Sequence, residues 1–318
     1  MAETHIITGG AGFIGSHLAA HLLRDGHSVR IVDNLSTGKQ ANLDYLNGLN
    51  DDYTHYPVDV TDIDALTPIF AGADYVFHHA ALPSVTLSID DPLKTHEHCV
   101  TGTLNVLVAA QKAGVKRVIF ASSSAVYGDG ETAYADEGAI PAPMSPYGAA
   151  KLAAEHYCHV FNTVYNLETV ILRYFNVFGP RQDPASAYAA VIPKFITAML
   201  NGERPVIYGT GEQSRDFTYV DNIVRGNVLA ARSTEAAGHT MNLATGSSIS
   251  LLDLVSQINT ILGTTIEPIH TNPRPGDILH SQAATQRATD LLDFAPHIDF
   301  AEGLAQTIAY YQETVNSH

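Results

Sequence analysis

Two patterns alternate along the first half of the chain. Short runs of four to six mostly apolar residues stand at 5–8, 28–33, 53–57, 75–78, 117–122 and 168–173. Between them, at 12–25, 63–70, 92–113 and 146–162, apolar positions recur three or four apart. The short runs predict strands and the longer stretches predict amphipathic helices. Repeated strand–helix–strand units imply right-handed crossovers and a parallel sheet. Strands that are apolar almost throughout fit a sheet covered by helices on both faces. After about residue 175 the rhythm changes. Loops rich in Gly, Pro, Arg and Asp ("NVFGPRQDPASA", "YGTGEQSRDFTYVDN", "TNPRPGDILHS") alternate with helical patterns at 191–201, 220–233, 250–262 and 300–316. Long loops without regular structure, set in a compact chain, usually carry function. The pattern predicts a doubly wound parallel α/β domain over 1–175 and a smaller α/β domain over 176–318, forming a cleft. A segment near 220–245 would return to the first domain.

The first predicted strand runs into "TGGAGFIGSHLAAHL", with glycines at Gly9, Gly10, Gly12 and Gly15 and then a helix. Strand, bare turn and helix stand in the order a phosphate cradle needs. Gly9 allows a tight turn, Gly12 lets backbone N–H groups approach a pyrophosphate, and Gly15 lets the helix pack on the strand. The second strand ends at Asp33, eighteen residues past Gly15. An acid there hydrogen-bonds an adenosine ribose and repels a 2′-phosphate, which favours NAD over NADP. Lys39, close by, acts against that preference. "VDVTD" after the third strand places Asp59 and Val60 near the adenine edge. "FHHAAL" after the fourth supplies Ala80 and Ala81, small enough for the backbone to pass close to a cofactor. His79 beside them reads as a packed, hydrogen-bonded side chain.

The fifth strand ends in "SSSAVYG", and "SPYGAAKLAAE" puts Tyr147 and Lys151 four apart at a helix start. Alone, such a pair is an ordinary solvated one. After a dinucleotide fingerprint it reads as chemistry: Lys⁺ and an oxidised nicotinamide together would lower the phenol towards neutrality. Tyr147 would then act as general base on an alcohol, with Ser123 hydrogen-bonded to the same hydroxyl.

Composition narrows the picture. The chain has 318 residues, 16% charged, with a net charge of −16. So acidic a surface disfavours nucleic acid and anionic membranes. Only Cys99 and Cys158 are present, which fits a reducing, cytoplasmic compartment rather than a disulfide framework. No signal peptide and no membrane-crossing run is expected. No metal is expected either: His96 and His98 point to different sides of their helix, and neither cysteine has ligand spacing.

Gly9, Gly12, Gly15, Asp33, Ser123, Tyr147 and Lys151 resemble the extended short-chain dehydrogenase/reductase superfamily. "SSSAVYG", "SPYGAAK", "LRYFNVFGPRQDP", "SRDFTYVDN" and "RPGDILHSQA" resemble the nucleotide-sugar 4-epimerases within it. The resemblance implies a Rossmann-type domain with tightly held NAD, a nucleotide-sugar-binding domain, and a homodimer joined by a four-helix bundle of helices 92–113 and 146–162. It adds Phe13, Ile14, Asn34, Gly38 and His79 to the cofactor contacts. It implies C4 inversion of a UDP-hexose through a 4-keto intermediate. Dehydratase and decarboxylase relatives carry acids where this chain has Ser124 and Ala125. They remain the alternative, with UDP-glucuronate 4-epimerisation.

For the substrate the resemblance implies Ser84, Ser88, Ser123, Ser124 and Tyr147 around the sugar, with Val191 and Lys194 from "AAVIPKF". Asn176 would contact the diphosphate or sugar, and Arg215 and Arg274 would clamp the diphosphate, a role that suits a guanidinium fork. Asp277 would hold the ribose. Tyr208 would stack near uracil or serve as an ordinary core aromatic, and Arg181 is a further phosphate candidate. Ser281 would stand at a gate beside the C2 substituent, leaving room for an N-acetyl group.

Overall fold

A computed structural model of the chain describes residues 2–49, 52–129, 134–184, 190–273 and 279–316. Its centre is a seven-stranded sheet: β1 (Thr4–Thr8), β2 (Ser28–Val32), β3 (Tyr53–Tyr56), β4 (Tyr75–His78), β5 (Arg117–Ser123), β6 (Glu168–Tyr174) and β7 (Thr240–Leu243). The spatial order is β7-β6-β5-β4-β1-β2-β3, every pair parallel. The order reverses beside β1, where open α/β sheets bind ligands.

Successive side chains of a strand alternate between faces, and here both faces are apolar. Ile7 enters a core with Leu18 and Leu22 of α1 (Phe13–Arg24). Ile6 enters the opposite core, against Leu107 of α2 (Gly102–Ala113) and Phe161 of α3 (Pro146–Val164). α4 (Val220–Arg232) adds Ile223 and Val224 to the first of these cores. The central sheet and its layers therefore take β7 and α4 from the second half of the chain. They also take the helix Gln286–Leu292, whose Ala288 and Leu292 pack in the same core.

The region predicted as one helix over 92–113 is divided. Pro92–His96 is followed by a wide π turn, Glu97–Thr101, before α2 begins. Such turns often occur at functional sites. This one sets Cys99 in a small cluster with Tyr147 and carries Gly102 past Val60, where a Cβ would come within 2.7 Å of the valine.

The loops after residue 175 are less irregular than the sequence suggests. They contain Val177–Phe178, Ser214–Arg215, Thr218–Tyr219, Ile269–Thr271 and His280–Ala283, short strands paired over long sequence distances. One small sheet runs Ile249–Ser250, Ser214–Arg215, His280–Ala283, Tyr134–Ala135. Its neighbour is a third core built from Phe178, Phe195, Phe217, Leu254 and Leu304. Among the described residues no helix is long and apolar enough to cross a membrane.

Candidate active site

β1 ends in a turn whose path is fixed by close approach. Gly9 has φ +73°, and a Cβ there would sit 2.7 Å from Ala80 N. A side chain would therefore be strained and obstructed together. Gly15 packs so tightly on the Gly9 carbonyl that a Cβ would overlap it, while Gly12 meets only Gly9 O at 3.1 Å. Gly12 is the N-cap of α1, with no side-chain cap and no acid in the first turn. The helix thus starts with amide donors that no side chain occupies, next to Phe13 and Ile14. Asp33 is buried and aimed at the turn: Oδ2 accepts from Ala11 N at 2.9 Å and Oδ1 from Leu35 N at 2.8 Å. Gly38 lies against that carboxylate, 2.7 Å from Asp33 Oδ1 to an added Cβ. Lys39 is drawn away to Asp183, 2.7 Å from its Nζ.

Asp59 accepts from Asn34 Nδ2 at 2.6 Å and from Thr61 N at 2.9 Å. Burial pushes its carboxyl up, but hydrogen bonds from Thr61 and nearby His98 hold it below the usual range. His79 bonds Tyr174 Oη at 3.0 Å, and burial holds it neutral, with a pKa of about 4. It is a packed side chain on the wall, beside Ala80 and Ala81.

The second part of the site stands at the end of β5. Ser145 caps α3, accepting from Gly148 N at 3.1 Å, with Pro146 in the first turn. This N-cap arrangement places Tyr147 within the first turn, in hydrogen-bonding reach of Ser123. Gly148, which sequence reading missed, lets that turn press on the strand end, since a Cβ would overlap Ala125 O. Ser123 Oγ also accepts from Ala125 N at 3.2 Å, and Ser124 begins the short 3₁₀ turn that follows. Lys151 is 3% exposed, its Nζ donating to Ala121 O at 2.9 Å.

One expectation is corrected here. In the chain itself the Tyr147 phenol is pushed up, by burial first and then by Cys99, with Ser123 opposing. Lys151 does not offset this: its Nζ is turned to a carbonyl and lies 6.0 Å from the tyrosine ring centroid. Burial also lowers the ammonium's own pKa. The remaining cation of the expectation is the cofactor's nicotinamide.

Of the residues expected to meet substrate, Arg215 and Ser281 stand opposite each other in the small sheet. Arg215 Nη1 donates to Ser214 O at 2.9 Å. Asn176 is exposed, at φ +31°, with Nδ2 donating to Asp216 O at 3.2 Å. A non-glycine residue held there is a strained position of the kind found at binding sites. Ser84 caps a short helix, accepting from Leu87 N at 3.1 Å, and Ser88 is buried and donates to Val85 O at 2.6 Å. Both hydroxyls therefore have structural partners. Val191 and the exposed Lys194 share the helix Val191–Leu200, and Tyr208 is 37% exposed on Val206–Tyr208. Arg181 is turned to the Tyr45 ring, 4.1 Å from its centroid. Arg274 and Asp277 lie outside the described residues.

The organising group of the small sheet is one that the sequence reading passed over. Asp216 is 0% exposed and accepts from Thr245 N (3.0 Å), Thr245 Oγ1 (2.6 Å), Gly246 N (2.9 Å) and Ala283 N (3.3 Å). Its own N–H donates to Ser281 O at 2.9 Å. The signal for it was its place in "SRDFTYVDN", directly after Arg215.

The sequence profile of the NAD-dependent epimerase/dehydratase family matches residues 5–244. The chain belongs to that family. Its overall shape agrees. The solved UDP-N-acetylglucosamine 4-epimerase from Methanobrevibacter ruminantium M1, in complex with UDP-N-acetylmuramic acid, is 44% identical. It superposes with a TM-score of 0.93 over 99% of this chain and 100% of that one. The UDP-glucose 4-epimerase of Mycolicibacterium smegmatis is 37% identical over 311 residues, 96% of this chain and 98% of that protein. The UDP-N-acetyl-alpha-D-glucosaminuronate decarboxylase of Bacillus cytotoxicus is 32% identical over 327 residues, 99% and 100% of the two chains.

As a member of the epimerase/dehydratase family the chain is an NAD-dependent enzyme. The residues fit that cofactor: uncapped amides at the start of α1 meet the needs of a pyrophosphate, and the buried Asp33 carboxylate those of a ribose diol.

Proposed function

We propose that the chain is a UDP-sugar 4-epimerase, interconverting UDP-glucose with UDP-galactose and UDP-GlcNAc with UDP-GalNAc. The observation that carries this reading is the gathering of Ser123, Tyr147 and Lys151 around the end of β5, with no carboxylate at Ser124 or Ala125. Gly9, Gly12, Phe13, Ile14, Gly15, Asp33, Asn34, Gly38, Asp59, Val60, Ala80 and Ala81 would border the cofactor. Held there, NAD⁺ would supply the hydride acceptor for oxidation at C4 of the sugar and, once reduced, the hydride donor for the return to the opposite configuration. Tyr147, as phenolate, accepts the C4 hydroxyl proton as the ketone forms and returns it on reduction. Ser123 orients that hydroxyl, and Lys151 stands one helical turn behind the tyrosine with its Nζ on Ala121 O. Arg215 and Asn176 hold the diphosphate while the keto sugar turns over. The small Ser281 leaves the C2 substituent free.

Similarity to a UDP-N-acetylglucosamine 4-epimerase supports the N-acetylated pair. The exposed apolar side chains Leu93, Tyr157, Val160 and Val164 support a homodimer through the helices 92–113 and 146–162. The two buried free cysteines suit a cytoplasmic protein.

The test is Tyr147→Phe assayed with UDP-galactose and UDP-GalNAc. The variant should keep its NAD and lose turnover by about 10³-fold, in the range expected for a general base. Undiminished turnover would sink the assignment of the base. Release of water, or of CO₂ from a UDP-uronate, by the wild type would move the chain to the dehydratases or decarboxylases.

A further inference from the structure

Away from the glycine turn, at the opposite ends of the strands, three side chains that catalysis does not use come together. Glu3 precedes β1 and His27 precedes β2, and the register Thr4 to Ser28 and His5 to Val29 sets them side by side. Glu3 and His5 are two apart along an extended chain and so share a face. Glu3 Oε2 lies 3.7 Å from His5 Nε2 and 3.9 Å from His27 Nδ1. The three ligand atoms are all within 4.8 Å of one another.

His5 makes this more than a chance cluster. It is 3% exposed, enclosed by the rings of His27, Tyr75 and Phe77, and neither ring nitrogen has a hydrogen-bond partner. Buried polar atoms are nearly always paired, and an unpaired one in a native fold points to a missing ion or water.

We propose that Glu3, His5 and His27 bind one divalent transition-metal ion of the zinc type. Two imidazoles and a carboxylate suit zinc, cobalt or nickel, and not magnesium or calcium, which take oxygen donors. Tetrahedral bonds of about 2.0–2.2 Å put ligand atoms roughly 3.4 Å apart, so Glu3 Oε2 has to close by a few tenths of an ångström on each imidazole, at 3.7 and 3.9 Å, while the two imidazoles, within 4.8 Å of each other, have more to close. His27 Nδ1 now accepts a 3.2 Å hydrogen bond from Glu3 N, which the metal bond replaces. Arg232, 3.4 Å from His27 Nε2, is exposed and free to swing aside. Lys116, the other cation near, is paired with Asp74 at 2.8 Å. Burial and the neighbouring His27 keep the His5 pKa at about 4, so its imidazole is neutral and ready to ligate near pH 7. The ion would tie the N-terminus to the first two strands and complete its shell with water. Its role is structural, since the reacting residues lie at the other ends of the strands.

The probe is Co²⁺ titrated into full-length protein stripped with EDTA, followed by visible absorption. One equivalent should give the intense bands of four-coordinate cobalt, and Zn²⁺ should abolish them. His5→Val should lose the bands and bind at least about 100-fold more weakly, and Glu3→Gln about 10-fold more weakly. Both variants should keep bound NAD and turnover. Absent bands, or unchanged stoichiometry and affinity in His5→Val, would overturn the site. Should His5→Val lose NAD and so its fold, His27→Gln is read in its place, with the same two outcomes.

Discussion

The dinucleotide turn and the small sheet that carries Arg215 and Ser281 are held by opposite means. Around Gly9 the constraint is backbone against backbone: the turn lies against Ala80, and α1 rests on the Gly9 carbonyl. At Gly9 and Gly15 no side chain can be added. In the small sheet the constraint is one carboxylate. Asp216 ties Thr245, Gly246 and Ala283 together, while its backbone holds Asn176 and Ser281. The first arrangement fails by addition, the second by removal.

The largest effect should follow from adding one methyl to the turn. Gly9→Ala forces φ +73° on a residue with a Cβ and drives that Cβ to 2.7 Å from Ala80 N. Strain and overlap together should cost about 3 kcal/mol and lower the melting temperature by about 5 °C. Bound NAD should fall below detection in the purified protein. A variant that melts normally and retains NAD would show that the turn yields, and the contrast between the two regions would be lost.

The same contrast explains what could be read from residues alone. Gly9, Gly12, Gly15 and Asp33 follow one another along a single strand–turn–helix–strand unit, so their spacing carries their geometry. Tyr147 and Lys151 share one helix, and Ser123 ends the strand it packs on. Local order made all seven legible. The small sheet is assembled from strands of two to four residues, with His280–Ala283 meeting Ser214–Arg215 on one side and Tyr134–Ala135 on the other, across the chain. No periodicity survives in two residues, and these pairings were hidden within apparent loops. Asp216 was missed because a buried hub has the same letter as a surface acid. The phenol's upward shift was missed because its causes, burial and Cys99, come from the packing around the helix and lie outside the motif.

Removal in the small sheet is tested by Asp216→Asn. The amide keeps the shape but must turn an NH₂ either towards the N–H and hydroxyl of Thr245 or towards the N–H groups of Gly246 and Ala283. Leaving such donors unpaired in a buried site costs about 2 kcal/mol. That loss should appear as a rise of roughly 30-fold in KM for the sugar nucleotide. NAD affinity and kcat should change little, because the hub touches neither the turn nor Tyr147. An equal fall in kcat with KM unchanged would mean that Asp216 acts on the reacting end of the site and not on its grip.

Acid should separate the central sheet from the Asp216 hub by a smaller margin and in opposite senses. Burial lowers His5 and His79 to about 4 and His78 well below its ordinary value, all three on β1 or β4 or just beyond. A histidine with a depressed folded pKa contributes fully above the unfolded value of about 6.5. It loses that contribution as pH falls towards 4, because the unfolded chain takes up the proton first. Burial raises Asp216 instead, so protonation there favours the folded state as pH falls. At pH 5.5 a histidine shifted to 4 should have lost about 1.4 kcal/mol relative to pH 7.5. His5→Val, measured in EDTA, should therefore show a urea midpoint that moves less between these pH values than that of the wild type. An equal movement in both proteins would mean that His5 takes up its proton as readily folded as unfolded. Acid would then act on something other than the buried imidazoles of the central sheet.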